Sequence, residues 1–320
     1  LLFLFVIIAI TTYFFSFDQS YTVIYIKTLL LLFFLVFAFT NYIDDKCKIE
    51  YILNCFIYAG VIASLYLLIN SNITAYSRIG KLLGDQNTLA FVFGISLLSS
   101  LYKYLHLKKI HYIFIVLLLI TIILLTGSRS GLVFSIISFF ILMVFYIRKN
   151  KRSGLNKLFL FLLLFFMIYL IYLAIFKIPL LYSIIGLRID RMIHQLQYGG
   201  NVDRSFVTRA YMIEYGLELF KNRPLLGYGF GNYAQILGTS TGRFGYAHNN
   251  YIELLADVGL IGTTVYYSFY FYILYLLIKL KTNELLKYVF ISFIIAILIV
   301  NISLITYLTK HFYIIITIMY

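Results

Sequence analysis

Leu158-Phe159-Leu160-Phe161-Leu162-Leu163-Leu164-Phe165-Phe166-Met167-Ile168-Tyr169-Leu170-Ile171-Tyr172-Leu173-Ala174-Ile175-Phe176, closed at its ends by Lys157 and Lys177, is a run of nineteen residues without a charge. At 1.5 Å per helical residue it extends about 28 Å, close to the roughly 30 Å hydrocarbon core of a bilayer. Comparable runs recur near 1–17, 21–40, 50–69, 86–105, 110–127, 130–147, 259–279 and 285–308, and 311–320 reads as part of another. Lipid offers no partner to backbone N–H and C=O groups, so these spans must be helices. Composition agrees: 62% of residues are hydrophobic and 12% charged, against about 45–50% and 25% in soluble domains. Mean hydropathy is +0.95. The expected fold class is an all-α polytopic membrane protein with about 9–10 transmembrane helices.

The net charge of +14 suggests nucleic acid, but the placement of the charges argues for topology instead. Alternate short loops carry thirteen Lys and Arg on one side, from Lys46 to Lys287, against Arg78, Lys81, Arg129 and Lys310 on the other. That asymmetry sets the basic loop Lys149–Lys157 in the cytoplasm and the long loop 179–250 outside; long loops are exempt from the rule. No nucleic-acid partner is expected. Cys47 and Cys55, eight residues apart on one helix, stand about 12 Å apart, too far to bridge. His106, His111, His194, His248 and His311 form no ligand-spaced pair, so neither a metal nor a cofactor is expected.

The simplest organisation is one membrane domain: helices in 1–178, a large extracytoplasmic loop over 179–258, and further transmembrane helices in 259–320. The chain opens on Leu1 inside an apolar segment, and missing N-terminal sequence is expected. Within the loop, Asp203 reads as the N-cap of a helix that runs to about Asn222 and is ended by Pro224. Phe206, Ala210, Ile213, Leu217 and Phe220 form one stripe of that helix, predicted to press on the membrane domain with Arg209 at its edge. Pro224–Tyr233 follows with glycines at alternate positions, able to bring backbone close to a ligand or another helix. A second polar helix is predicted to begin near His248 and to enter a span at Gly259.

Three residues of this polar region and its surroundings carry chemistry. Arg129, flanked by Gly127, Ser128, Ser130 and Gly131, sits where a buried charge is costly and usually functional. The plain alternative is a side chain reaching headgroup phosphates. Arg209 belongs to an outer loop rich in arginine, whose planar fork suits phosphate; a basic face resting on anionic lipid is the alternative. His248 is a proton acceptor suited to neutral pH, although an isolated histidine is most often structural. Glu253 and Asp257 follow Asn249 at four-residue steps and share a face able to orient partners. Asn87, Asn249, Arg204, Arg243, Tyr246 and Glu253 are the residues expected to contact substrate.

Five motifs in order resemble the O-antigen ligase and polymerase superfamily, from about residue 80 to 280. They are Gly84-Asp85-Gln86-Asn87-Thr88-Leu89-Ala90; Leu125-Thr126-Gly127-Ser128-Arg129-Ser130-Gly131; Arg209 with Pro224-Leu225-Leu226-Gly227-Tyr228-Gly229-Phe230-Gly231-Asn232; Ala247-His248-Asn249-Asn250-Tyr251; and Gly259-Leu260-Ile261-Gly262. The resemblance implies a GT-C-type helical bundle in the plasma (inner) membrane, multi-pass, acting on its outer face without a metal. It implies inverting transfer of a glycan from an undecaprenyl-diphosphate-linked donor to a hydroxyl of a glycan, lipid or protein acceptor. Arg129 and Arg209 would bind the diphosphate, and His248 would activate the acceptor. The chain departs from the family in having no Trp, with Tyr211 where one is frequent; in Asp85-Gln86 for a commoner Asn-Pro; and in Phe230 for a frequent Pro.

A polysaccharide-repeat polymerase is the first expectation, for a capsule, exopolysaccharide or O-antigen. A ligase moving a finished glycan onto lipid A-core or protein is the alternative with the same donor. A lipid-linked-sugar flippase is the alternative of another class; it would concentrate polar groups at mid-membrane, whereas here they gather in one loop and at the surface.

Overall fold

A computed structural model describes residues 1–72, 74, 77–149, 154–200, 203–281 and 285–319. Lys151 and Arg152, part of the basic loop assigned to the cytoplasm, lie outside these. The regular elements among the described residues are all helices: α1 (Leu2–Thr11), α2 (Gln19–Tyr42), α3 (Lys46–Asn70), α4 (Gln86–Leu107), α5 (His111–Thr126), α6 (Arg129–Lys149), α7 (Gly154–Lys177), α8 (Pro179–Leu181), α9 (Leu187–Tyr198), α10 (Arg204–Asn222), α11 (Tyr233–Thr241), α12 (Asn250–Lys279), α13 (Leu285–Val300) and α14 (Lys310–Thr317). Among them α2, α3, α4, α6, α7 and α12 are long and apolar enough to cross a membrane, and the shorter apolar stretches Leu2–Phe15, His111–Thr126 and Leu285–Val300 coincide with the remaining predicted spans. The protein is an all-α polytopic membrane protein.

Two expectations about the ends change. The predicted span 285–308 stops at Val300, because the segment after it turns back to satisfy buried polar groups: Asn250 N–H donates to the Asn301 carbonyl (2.7 Å), and the Asn250 side-chain oxygen accepts from the Thr306 and Tyr307 amides. The helix in 311–320 is the eight-residue α14, about 12 Å long and too short to cross a bilayer.

The chain forms two compact units. The first comprises Leu1–Asp45, Arg204–Leu280 and Val300–Tyr320; the second comprises Lys46–Asp203 and Lys281–Ile299. The long polar loop is therefore shared, its first part belonging to the second unit and the rest to the first.

In the second unit small residues bring helices close, as in membrane proteins generally. Gly60 of α3 faces Ser96 of α4, whose hydroxyl donates to the Phe56 carbonyl (2.7 Å). Gly131 of α6 rests on Ala90 of α4, where an added Cβ would lie 2.4 Å from the alanine methyl. Lys103, counted above among the loop cations, is buried on α4 and paired with Glu50 of α3 (3.1 Å).

In the first unit the segment Pro224–Tyr233 wraps α12 where that helix breaks. Gly259 has φ +64° and ψ −168°, so the ladder of α12 is interrupted there. The freed groups are taken over by the loop: Leu260 N–H donates to the Pro224 carbonyl (2.8 Å) and Ile261 N–H to Leu225 (3.3 Å), while Tyr228 and Gly229 N–H donate to the Ala256 and Asp257 carbonyls. Gly227 permits this approach; a Cβ there would lie 2.5 Å from the Asp257 carbonyl carbon. Of these glycines, Gly227 meets α12 and Gly231 meets Tyr25 of α2, the helix approach that the sequence left open. Phe230, where the family often has Pro, is fully buried among the rings of Phe5, Tyr25 and Tyr307.

Helix α10 spans the predicted residues but is rotated. Its buried side is Met212, Gly216 and Leu219, whereas Ala210 and Leu217 of the predicted stripe are exposed. The reason is Gly216: lacking a side chain, it admits Ile252 of α12, and a Cβ would come within 2.5 Å of that residue's Cγ2. Arg209, three and seven residues before Met212 and Gly216, heads this side and is half-buried.

Candidate active site

Chemistry-bearing residues gather in two places, one in each unit. In the first unit, α12 starts as predicted. Asn249 is its N-cap, with an extended backbone and a side-chain oxygen accepting from the Tyr251 (3.0 Å) and Ile252 (3.2 Å) amides. Just before it, His248 has φ +53°. A non-glycine residue in that left-handed region carries strain of roughly 1–2 kcal/mol, and such strain persists where surrounding contacts over-determine it. Those contacts are visible. The Tyr246 and His248 rings lie 4.0 Å apart between centroids, Ala247 is fully buried, and its N–H donates to Glu253 Oε2 (2.6 Å).

Glu253 and Asp257 do share a face, as their spacing predicts, and that face is buried. Asp257 accepts from the Gly231 (2.9 Å) and Tyr233 (2.8 Å) amides. The Tyr307 hydroxyl reaches both carboxylates, 3.0 Å from Glu253 Oε1 and 3.4 Å from Asp257 Oδ2. Tyr233 donates its hydroxyl to the Met212 carbonyl (2.5 Å). Its burial, and then the nearby Glu253 carboxylate, hold that hydroxyl above the ordinary tyrosine value, so it stays a donor.

In the second unit the turn between α5 and α6 collects arginines. Arg129 opens α6 and donates to Asp203 (2.5 Å) and to the Arg188 carbonyl (3.1 Å). Arg188 in turn donates to the Gly127 carbonyl (2.7 Å), and Arg78 donates to the Thr126 carbonyl (2.7 Å) and to Asn87 Oδ1 (3.3 Å). Ser128 also donates to Asn87 (3.0 Å). Three guanidinium groups thus surround the start of one helix, where the backbone dipole already favours anions. Arg188 and Asp203, from the part of the long loop that belongs to this unit, thus reach the start of α6.

Of the residues expected to contact substrate, Tyr246, Asn249 and Glu253 gather around His248, and Asn87 lies at the turn before Arg129, accepting from Arg78 and Ser128. Asn249 and Glu253 are buried and committed to the protein's own amides, which argues for holding the turn rather than touching substrate. Arg204 and Arg243 are exposed, at the start of α10 and just beyond α11. Arg78 and Asp203 escaped the sequence reading. By sequence Arg78 reads as a topological charge and Asp203 as a helix cap, although its carboxylate engages Arg129.

Residues 114–267 match the model of the family described as O-antigen ligase, Wzy_C. The match, over just under half of the chain, supports the O-antigen ligase and polymerase superfamily. The matched segment contains Arg129, Arg209 and His248 and ends inside α12. The same match supports a lipid-linked glycan polymerase or ligase class. No curated protein matches it.

Proposed function

We propose that this chain is a membrane glycosyltransferase that polymerises undecaprenyl-diphosphate-linked oligosaccharide repeats into a surface polysaccharide, by an inverting, metal-independent reaction. The observation that carries the reading is His248, an imidazole held on a left-handed backbone between a buried Ala247 and the helix cap Asn249. The acceptor hydroxyl attacks the anomeric carbon from the face opposite the diphosphate. The new bond joins acceptor oxygen to that carbon, the bond from it to the diphosphate oxygen breaks, and the hydroxyl proton passes to His248. Negative charge develops on the departing diphosphate, and Arg129 and Arg209 supply cations to offset it. The site works on the extracytoplasmic face of the plasma membrane, with residues 179–258 outside.

The test is His248→Ala in cells that carry no other copy of the gene. Membrane insertion should persist, while elongation of lipid-linked repeats falls by a factor on the order of 100 or more, the usual contribution of a positioned base. Polymer of normal length made at the normal rate sinks the mechanism. Disrupting the gene separates the two members of the class: single repeats on the acceptor mark a polymerase, and long chains stranded on the lipid carrier mark a ligase.

A further inference from the structure

We infer that Glu253 is the positioning residue of His248: it does not touch substrate but holds the turn that presents the imidazole. The inference rests on the role given to His248 above. Glu253 lies one turn inside α12 and is 5% exposed. Its Oε2 accepts from the N–H of Ala247, the residue before His248, at 2.6 Å, and its Oε1 accepts from the Tyr307 hydroxyl at 3.0 Å. Both oxygens are engaged and neither faces solvent, so a direct part in proton transfer is left to the histidine. On the other side of His248, Asn249 is fixed by its own capping bonds to the Tyr251 and Ile252 amides. The strained φ of His248 is therefore flanked by an anchor on each side, and the Glu253–Ala247 bond reaches it from beyond the turn itself. Releasing it lets φ relax and swings the imidazole from its place beside Tyr246. Tyr307, itself fully buried, fixes the carboxylate in turn.

Reach, not charge, is what this role requires, and two conservative variants separate them. Glu253→Gln keeps an acceptor oxygen at the same distance, and the Tyr307 oxygen can accept from its amide. Glu253→Asp keeps the charge and withdraws the acceptor by one methylene. Initial rates are measured with purified protein of each variant and with lipid-linked glycan extracted from cells in which the gene is disrupted. Glu253→Gln should stay within about threefold of the unaltered protein. Glu253→Asp and Glu253→Ala should lose tenfold or more in kcat, with KM for the donor unchanged, the size of loss that about 1 Å of misplacement produces. In a His248→Ala background, Glu253→Asp should cost nothing further, because there is no imidazole left to aim.

The inverse order, with Asp active and Gln inactive, overturns the inference, as does an equal loss in both backgrounds, which marks a structural role. Full activity of His248→Ala removes the reading beneath it as well. Loss in His248→Ala alone, with Glu253→Asp and Glu253→Ala active, removes only the inference. If Glu253→Ala does not fold, the Asp and Gln pair still decides.

Discussion

Replacing Gly259 by Ala is expected to cost the folded protein about 2–6 kcal/mol, far more than a single methyl group suggests. Two effects contribute. The φ of +64° with ψ of −168° belongs to a region used almost only by glycine, where another residue is strained by roughly 1–3 kcal/mol. The added Cβ would also lie 2.3 Å from the carbonyl carbon and oxygen of Leu225 and 2.5 Å from Leu226 N. These are backbone atoms of the Pro224–Tyr233 loop and cannot rotate away. Relief requires lengthening the Leu260–Pro224 and Ile261–Leu225 hydrogen bonds, each worth about 0.5–1.5 kcal/mol. Gly242 supplies the control. Its φ is +70°, but an added Cβ there meets nothing within 4 Å, so Gly242→Ala carries only the left-handed penalty of about 1–2 kcal/mol. The assay is the thermal unfolding midpoint of both variants in one detergent, read by tryptophan-free tyrosine fluorescence or by loss of monodisperse protein. At the middle of these ranges, about 4 against about 1.5 kcal/mol, Gly259→Ala should shift it more than twice as far as Gly242→Ala. Equal shifts would refute the account of the break in α12 as a site of backbone-to-backbone packing.

Arg129 and Asp203 form a pair whose side chains are 14% and 9% exposed. Arg129→Ala should therefore destabilise by about 3–5 kcal/mol through the stranded carboxylate, and Arg129→Ala with Asp203→Ala should recover part of that; strictly additive midpoints would show the two are uncoupled. Asp257→Asn should destabilise by about 1–3 kcal/mol, because its new N–H₂ must face one of the donors the carboxylate now serves. Urea unfolding that leaves this variant level with the unaltered protein would show that those donors find other partners.

Much of the fold was legible because the bilayer leaves few choices. Runs such as Leu158–Phe176 can only be helices, and a helix that begins near His248 and enters a span at Gly259 is readable, whereas the Asn249 cap and the break of the ladder at Gly259 are seen in the structure. What the letters hid was which side of a helix is buried. In α10 the apolar pattern pointed to Phe206, Ala210 and Ile213, but the closest packing is made by Gly216, a residue with no side chain to score. The end of α13 was hidden for a related reason. Ile302, Leu304 and Ile305 continue the apolar composition past Val300, while the partners that stop the helix, Asn250 among them, are some fifty residues away in sequence. Asp203 illustrates the same limit at the candidate site. Its position before α10 fits a cap, and nothing local announces that Arg129, 74 residues earlier, claims its carboxylate.

The i, i+4 carboxylates of α12 carry the synthesis one step further. Each serves a different segment: Glu253 takes the Ala247 amide of the histidine turn, and Asp257 takes the Gly231 and Tyr233 amides of the glycine-rich loop. Every one of these partners can only donate. A carboxylate is acceptor-only and offers four lone-pair sites, so it can close such a junction without presenting a donor to another donor. Burying two of them is costly in isolation, and the donors offset that cost only while both segments stay docked. Tyr307, able to reach either carboxylate, adds the loop after α13 to the same junction. The polar face of one helix turn thus couples three loops, so displacement of any one of them leaves unsatisfied the carboxyl groups that hold the others. Such a junction makes the His248 turn rigid by mutual dependence, which is what a base aimed at an acceptor hydroxyl requires.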